Sequence, residues 1–171
     1  GTIVLAGVSA QTTWEIIEKA PWVSQPGGPR LVMVPATRHS ALRRWLWEHG
    51  FALVADRPVQ AAGRWYAVMA AEYTGETRTP TFTECLFGGT GEWPEGAGYA
   101  AWQKAKLPRF RLGVPDGTPL AEEIDQILRE DCGMATVQKI YEEMQRMAPL
   151  ELAESWDNPG LLVDCGGEVS R

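Results

Sequence analysis

Cysteine, histidine and long apolar runs are scarce in this sequence. Its 171 residues include 3 cysteines, Cys85, Cys132 and Cys165. The number is odd and no two form a CxxC pair, so neither a disulfide framework nor a thiolate metal site can be built from them. That usage predicts a reducing, cytoplasmic setting. The 2 histidines, His39 and His49, fall near opposite ends of one expected helix, which argues against a metal-binding pair. No run of about 18 apolar residues occurs and no basic-then-apolar leader precedes the first apolar segment, so neither a membrane span nor a signal peptide is expected.

Positive charge is also scarce, with 16 Lys+Arg against 22 Asp+Glu and a net charge of −6. No field spread over the whole molecule can draw it onto nucleic acid or an anionic membrane, and any such partner requires a local patch. Only residues 1–72 are basic, with seven positive and five negative side chains; 73–133 hold six and ten, and 134–171 three and seven. What is present is ordinary globular material, 44% hydrophobic and 22% charged, which excludes a disordered or collagen-like chain.

The apolar run Thr2–Ala6 has the continuity of a fully buried parallel strand. Read as a middle strand, it should have a bare flank, its neighbours having been lost upstream. Gly7 to Ala10 turns the chain into a helix over Thr12 to Ala20, with Trp14 and Ile17 on one side and Pro21 as the stop. Arg30–Pro35 predicts a second buried strand. Thr37 or Ser40 can cap the helix that follows, which carries Leu42, Trp45 and Leu46 and ends at Gly50. Phe51–Val54 and Arg64–Glu72 predict two strands joined as a hairpin. Residues 73–98, rich in Thr, Gly and Pro, predict a linker or elaborated loop.

Beyond that loop, Ala97–Lys106 predicts a helix. Thr118-Pro119 caps another, with Leu120, Ile124, Ile127 and Leu128 on one stripe, and the two can pair as a helical hairpin. Cys132-Gly133 breaks the pattern. Met134 then opens an amphipathic helix bearing Val137, Ile140, Met144 and Met147, and Gly160–Val163 predicts a strand with too little chain after it to supply a partner. Both ends are therefore expected to be cut within folded units.

Two motifs suggest chemistry and fall short of it. Gly7-Val8-Ser9-Ala10-Gln11 sits where a nucleophile elbow would place its serine, but Gln11 replaces the last glycine and no histidine follows a suitable acid. Gly88-Gly89-Thr90-Gly91 lacks the Lys-Ser/Thr of a phosphate loop. The basic residues are more suggestive: Arg38, Arg43 and Arg44 on one helix, and Lys104, Lys106, Arg109 and Arg111 in an acid-free stretch interrupted by Phe110, could grip phosphates or form a solvated face. The 8 tryptophans read first as packing residues.

Four segments carry a family resemblance: Ile3–Gly7, Arg30–Pro35, Leu42–Val54 and Gly63–Glu72. Together they resemble the second half of a class I S-adenosylmethionine-dependent methyltransferase, most closely the tRNA (adenine(22)-N(1))-methyltransferase family. The implied fold is α/β, the later half of a Rossmann-like sheet with two parallel strands plus an antiparallel hairpin, then a mainly helical segment and an incomplete α/β start. The implied domains are 1–72, the partial methyltransferase domain; 73–131, a linker and diverged tRNA-holding helical hairpin; and 134–171. The resemblance places Gly7 at the rim of the S-adenosylmethionine site and makes Arg38, Arg43, Arg44, Lys104, Arg109 and Arg111 candidate tRNA contacts.

The glycine-rich cofactor loop of that family would lie upstream, so the cofactor is expected to bind only the full-length parent. The family's Ala-Gly-Met-Gly-Gly turn is Ala6-Gly7-Val8-Ser9-Ala10 here, and its Gln-Pro-Asn is Val34-Pro35-Ala36. Loss of polar groups that would orient the target base implies little or no transfer by this copy. Residues 134–171, through the run Ala148–Val163 containing Trp156-Asp157-Asn158-Pro159-Gly160, resemble the amino terminus of the dinuclear-metal-centre, GTP cyclohydrolase type 2-like family. None of that family's ligands for its two metal ions falls in the run. The combined reading is a fusion of two neighbouring frames. Its alternative is a scaffolding or homo-oligomerising remnant attached to a metal-dependent hydrolase-like protein.

Overall fold

The computed structural model describes residues 1–131 together with two short strands, Ala135–Thr136 and Glu168–Val169. Residues Gly1–Ile127 make one unit and Leu128–Arg171 a second. In the first, β1 (Thr2–Ala6) and β2 (Arg30–Val34) pair in parallel from Thr2↔Arg30 to Ala6↔Val34. Between them runs α1 (Ala10–Glu18), the right kind of connection for two parallel strands. Ser9 supplies its cap, with Oγ accepting the Thr12 N–H at 3.1 Å, so the serine at the elbow position has a structural role and no base beside it.

After β2 the chain enters α2 (His39–Glu48), then β3 (Phe51–Ala61) and β4 (Arg64–Tyr73). β4 inserts antiparallel between β2 and β3, giving the order β1-β2-β4-β3. The hairpin turns on Ala62 and Gly63, at φ 48° and 73°, the left-handed pair a type I′ turn requires. Both strands are longer than the sequence predicts, because Asp56-Arg57-Pro58, which reads as a break, continues β3. Pro58 is tolerated because β3 is an outer strand.

One face of the sheet, with Leu31 and Met33 of β2 and Ala67, Met69 and Ala71 of β4, packs against Ile17 of α1 and Leu42 and Leu46 of α2. On the other face Val4 is 65% exposed, and no described strand lies on the outer flank of β1. The cap of α2 differs from expectation. Neither Thr37 nor Ser40 caps it; Arg38 does so through its backbone, at φ 59°, its carbonyl accepting from Ala41 and Leu42 at 3.0 and 3.2 Å.

The segment read as loop between Tyr73 and Gly98 contains α3 (Phe82–Phe87). Six residues would not hold a helix alone. Here Thr81 Oγ1 accepts from Glu84 N at 3.1 Å and Glu84 Oε2 from Thr81 N at 2.7 Å, a full capping box. The remaining first-turn donors, Phe82 N and Thr83 N, reach the Glu123 carboxylate at 3.2 and 2.7 Å. Glu123 lies on α6 (Pro119–Asp131), which starts from the expected Thr118 cap. Replacing Glu123 with alanine should cost about 1–2 kcal/mol, the worth of a lost helix cap, read as a lower urea midpoint at unchanged slope.

α4 (Gly96–Lys104) takes the place of the helix predicted over Ala97–Lys106, and α5 (Leu107–Arg111) follows it. In the second unit β5 (Ala135–Thr136) and β6 (Glu168–Val169) pair antiparallel. The helix expected from Met134 and the strand expected at Gly160–Val163 lie outside the described residues. Among the described residues no helix is long and apolar enough to cross a membrane.

Candidate functional site

Two turns meet at the carboxyl ends of the parallel strands, the rim where open α/β sheets take ligands. Gly7 N donates to Val34 O at 3.2 Å and Ala36 N to Val8 O at 2.9 Å, so the Ala6–Ala10 and Val34–Ala36 turns are locked together. Beside the second turn opens a cleft of about 500 Å³, walled by the β2–α2 connection, the tip of the β3–β4 hairpin, and helices α3 to α5. Its cations are Arg38, Arg64 and Lys106, and its rings are Trp65, Phe82, Trp102 and Phe110. No carboxylate lines it.

Its floor is a buried polar network. Arg43, fully buried, forks onto Asp56 with Nε to Oδ2 at 2.7 Å and a second bond to Oδ1 at 3.1 Å. The same guanidinium donates to the Cys85 and Leu86 carbonyls at the end of α3 and to Tyr99 Oη at 3.2 Å. Burial works against its charge, but the Asp56 carboxylate overrides it and holds the guanidinium pKa above its ordinary value. Gly88 makes room for this pair: a Cβ there would run into both the Asp56 carboxylate and the Arg43 side chain.

Tyr99 Oη accepts from Arg43 and, at 3.0 Å, from Gln103 Nε2, so its own proton is left for His39 Nδ1, 2.9 Å away. The His39 ring therefore accepts through Nδ1 and carries its proton on Nε2. Burial, reinforced by the Arg43 and Lys106 charges, lowers the His39 pKa to about 4, and the bond to Pro35 opposes this only in part. The imidazole is neutral at pH 7. Lys106 sits with Nζ 2.8 Å from the Trp102 ring centroid and donates to Gln103 Oε1 at 2.9 Å, and burial lowers its pKa to about 8.

The six basic candidates separate. Arg38 lines the cleft. Arg43 is a correction: an interior group bound bidentately to Asp56 cannot reach a phosphate, and its charge serves the core. Arg44 is exposed on α2, 3.7 Å from Glu48, and Arg109 is exposed on α5. Lys104 lies on α4, outside the cleft lining. Arg111 is held by Asp116 at 2.6 Å and Asp125 at 2.8 Å, and these bonds raise its pKa. Gly7 has open space around the position a Cβ would take and is not part of the lining of the cleft beside the second turn. Its φ of 77° makes it a turn residue.

Arg64 and the aromatic lining were not among the expected contacts, and Lys106 was expected only as one of several basic residues that could grip phosphates. The available signal was spacing, since Trp102, Lys106 and Phe110 recur every four residues. Arg64 gave none, because its place at the cleft depends on the hairpin.

Sheet order and turn placement define a Rossmann-like methyltransferase fold, and residues 1–69 match the family model described as a methyltransferase domain. Solved structures give a more particular likeness. A Streptococcus pneumoniae protein provisionally described as a tRNA (m1A22) methyltransferase, solved with S-adenosyl-L-methionine, aligns over 75% of this chain and 58% of its own at 22% identity and a TM-score of 0.56. M. capricolum TrmK, solved with S-adenosyl-homocysteine, aligns over 76% and 58% at 14% identity and a TM-score of 0.53. A Streptococcus agalactiae protein of the NADB-Rossmann superfamily covers 75% and 57% at 18% identity and 0.55. The chain thus spans under two thirds of the length of these structures. No curated protein sequence matches it. Nothing in these comparisons supports the dinuclear-metal resemblance of residues 134–171, which lie outside the described residues apart from β5 and β6.

Proposed function

We propose that this chain is a relative of the S-adenosylmethionine-dependent tRNA adenine-N(1) methyltransferases that keeps the capacity to hold RNA and has lost methyl transfer. The observation that carries this reading is the pair of interlocked turns at the sheet rim. We read them as the place where such a fold would present a target base, and there Val8, Pro35 and Ala36 carry no polar side chain while the Ser9 hydroxyl caps α1. Transfer to a ring nitrogen requires that nitrogen to be fixed in line with the sulfonium methyl group, and misplacement by about 1 Å costs on the order of 100-fold. The chain's own residues supply instead a cationic, ring-lined cleft next to those turns.

In the whole protein S-adenosylmethionine would supply the methyl group, with Gly7 at the rim of its site. The test is methyl transfer from labelled cofactor to a tRNA transcript by the 171-residue chain and by the longest natural polypeptide that contains it. Expected is binding of the transcript that weakens steeply with salt, without label transfer. Robust methylation would overturn the loss of transfer, and salt-insensitive or absent binding would overturn the RNA-holding role.

A further inference from the structure

We infer that the cleft between the β2–α2 connection, the hairpin tip and α4–α5 takes one unstacked nucleotide of a single-stranded RNA, its base on Phe110 and its phosphates on Arg38, Arg64 and Lys106. The inference rests on the RNA-holding reading above and specifies the form of RNA the cleft accepts. Charge gives the first argument: three cations and no carboxylate line one concavity on a molecule whose net charge is −6. Neither Arg38 nor Arg64 forms an ion pair among the described residues, whereas Arg43, Arg44 and Arg111 all do. The charge of both cleft arginines is thus left for a ligand.

The rings give the second argument. Phe110 is 48% exposed although it lines a cleft, and it lies parallel to Phe82 with centroids 5.7 Å apart. A phenyl ring backed by another ring and still exposed is a platform for a planar ligand. Trp102 does not serve, because Lys106 already covers its face. A duplex hides its base faces within the stack, so an aromatic platform is useful only to a base that has left it. The volume of about 500 Å³ is that of a small-ligand site, too confined for a helical groove surface.

The neutral state of His39 fits this occupant. The cleft floor adds no further cation, and the phosphate-seeking charge stays at the rim on Arg38, Arg64 and Lys106. Arg38 reaches that rim from a backbone at φ 59°, a conformation an arginine adopts at a cost of about 1 kcal/mol or more, and one that sets where its side chain leaves the helix start.

The experiment is fluorescence anisotropy with labelled hexaadenylate, a 12-base-pair RNA duplex and a tRNA transcript, using the full chain and its Arg64→Gln, Lys106→Gln and Phe110→Ala variants. Circular dichroism melting verifies that each variant is folded. Arg64→Gln is the safeguard for folding, since Arg64 is exposed at a hairpin start. The expected result is preference for hexaadenylate over duplex, a loss of about 5- to 150-fold in Phe110→Ala, and a salt slope shallower by about one in each cation variant. Binding of the transcript with hexaadenylate ignored, or with all three variants indistinguishable from the parent, overturns the cleft assignment and leaves the RNA-holding reading standing. Binding of no RNA at all overturns both.

Discussion

Replacing Arg43 with methionine will destabilise the fold by about 3–5 kcal/mol, the usual consequence of stranding one member of a buried ion pair. Methionine fills much of the volume, so the loss comes from Asp56, which keeps its Gly89 N–H at 3.2 Å but loses both guanidinium bonds in a site that is 4% exposed. The Cys85 and Leu86 carbonyls lose their donor in the same event, which frees the end of α3. Asp56→Asn should cost a similar amount, because it leaves the opposite charge unmatched. The double variant Arg43→Met/Asp56→Leu should fall well short of the sum, since no buried charge remains. Urea midpoints at constant slope would measure all three. A cost for Arg43→Met below about 0.5 kcal/mol would return Arg43 to the surface and to the set of phosphate contacts.

Acid will remove about 3 kcal/mol of stability through His39 alone, and the window lies higher than for ordinary carboxylate titration. In the folded chain the imidazole pKa is about 4, against an ordinary value of 6.5. Between those values the unfolded chain binds the extra proton and the native one does not, so stability is complete above pH 6.5 and falls as pH drops toward 4. About 2 kcal/mol of it is already gone at pH 5. Protonation would also make Nδ1 a donor facing the Tyr99 proton, which breaks the chain of bonds to Gln103 and Arg43. Glu84 and Glu123 have lowered pKa values, so their losses come at lower pH than the upper part of this window. Stability measured from pH 7 to 5 in the parent and in His39→Gln should show a slope in the first and little in the second. Equal slopes would place the ionisation elsewhere.

Local chemistry made some of this legible in the sequence and left the rest hidden. Continuous apolar runs gave β1 and β2 as parallel strands, although no β1 residue is buried, and the Thr118-Pro119 start gave α6, because apolar strands and capped helices write their requirements into neighbouring residues. α3 was missed although Thr81-Phe82-Thr83-Glu84 spells its capping box, since six residues among glycines and prolines depend on Glu123 and Arg43 from distant elements. Arg43 was misassigned for the same reason. An arginine beside another on a helix looks like surface until Asp56, 13 residues on, is brought against it. Arg38 lines the cleft through a left-handed cap that no local motif announces. The cleft combines a strand end, a hairpin tip and two helices, and a constellation of that kind exists only once the chain is folded.

His39 and Gln103 each present one side to the cleft and the other to the bonds around Tyr99. Those bonds are made when the protein folds, so this wall is set before any visitor arrives. An incoming molecule need not freeze those two side chains, and the entropy of fixing them is not charged against its affinity. Only the outer residues, Arg64 and Phe110 among them, have freedom left to lose. The socket should therefore be selective in its depth and forgiving at its mouth.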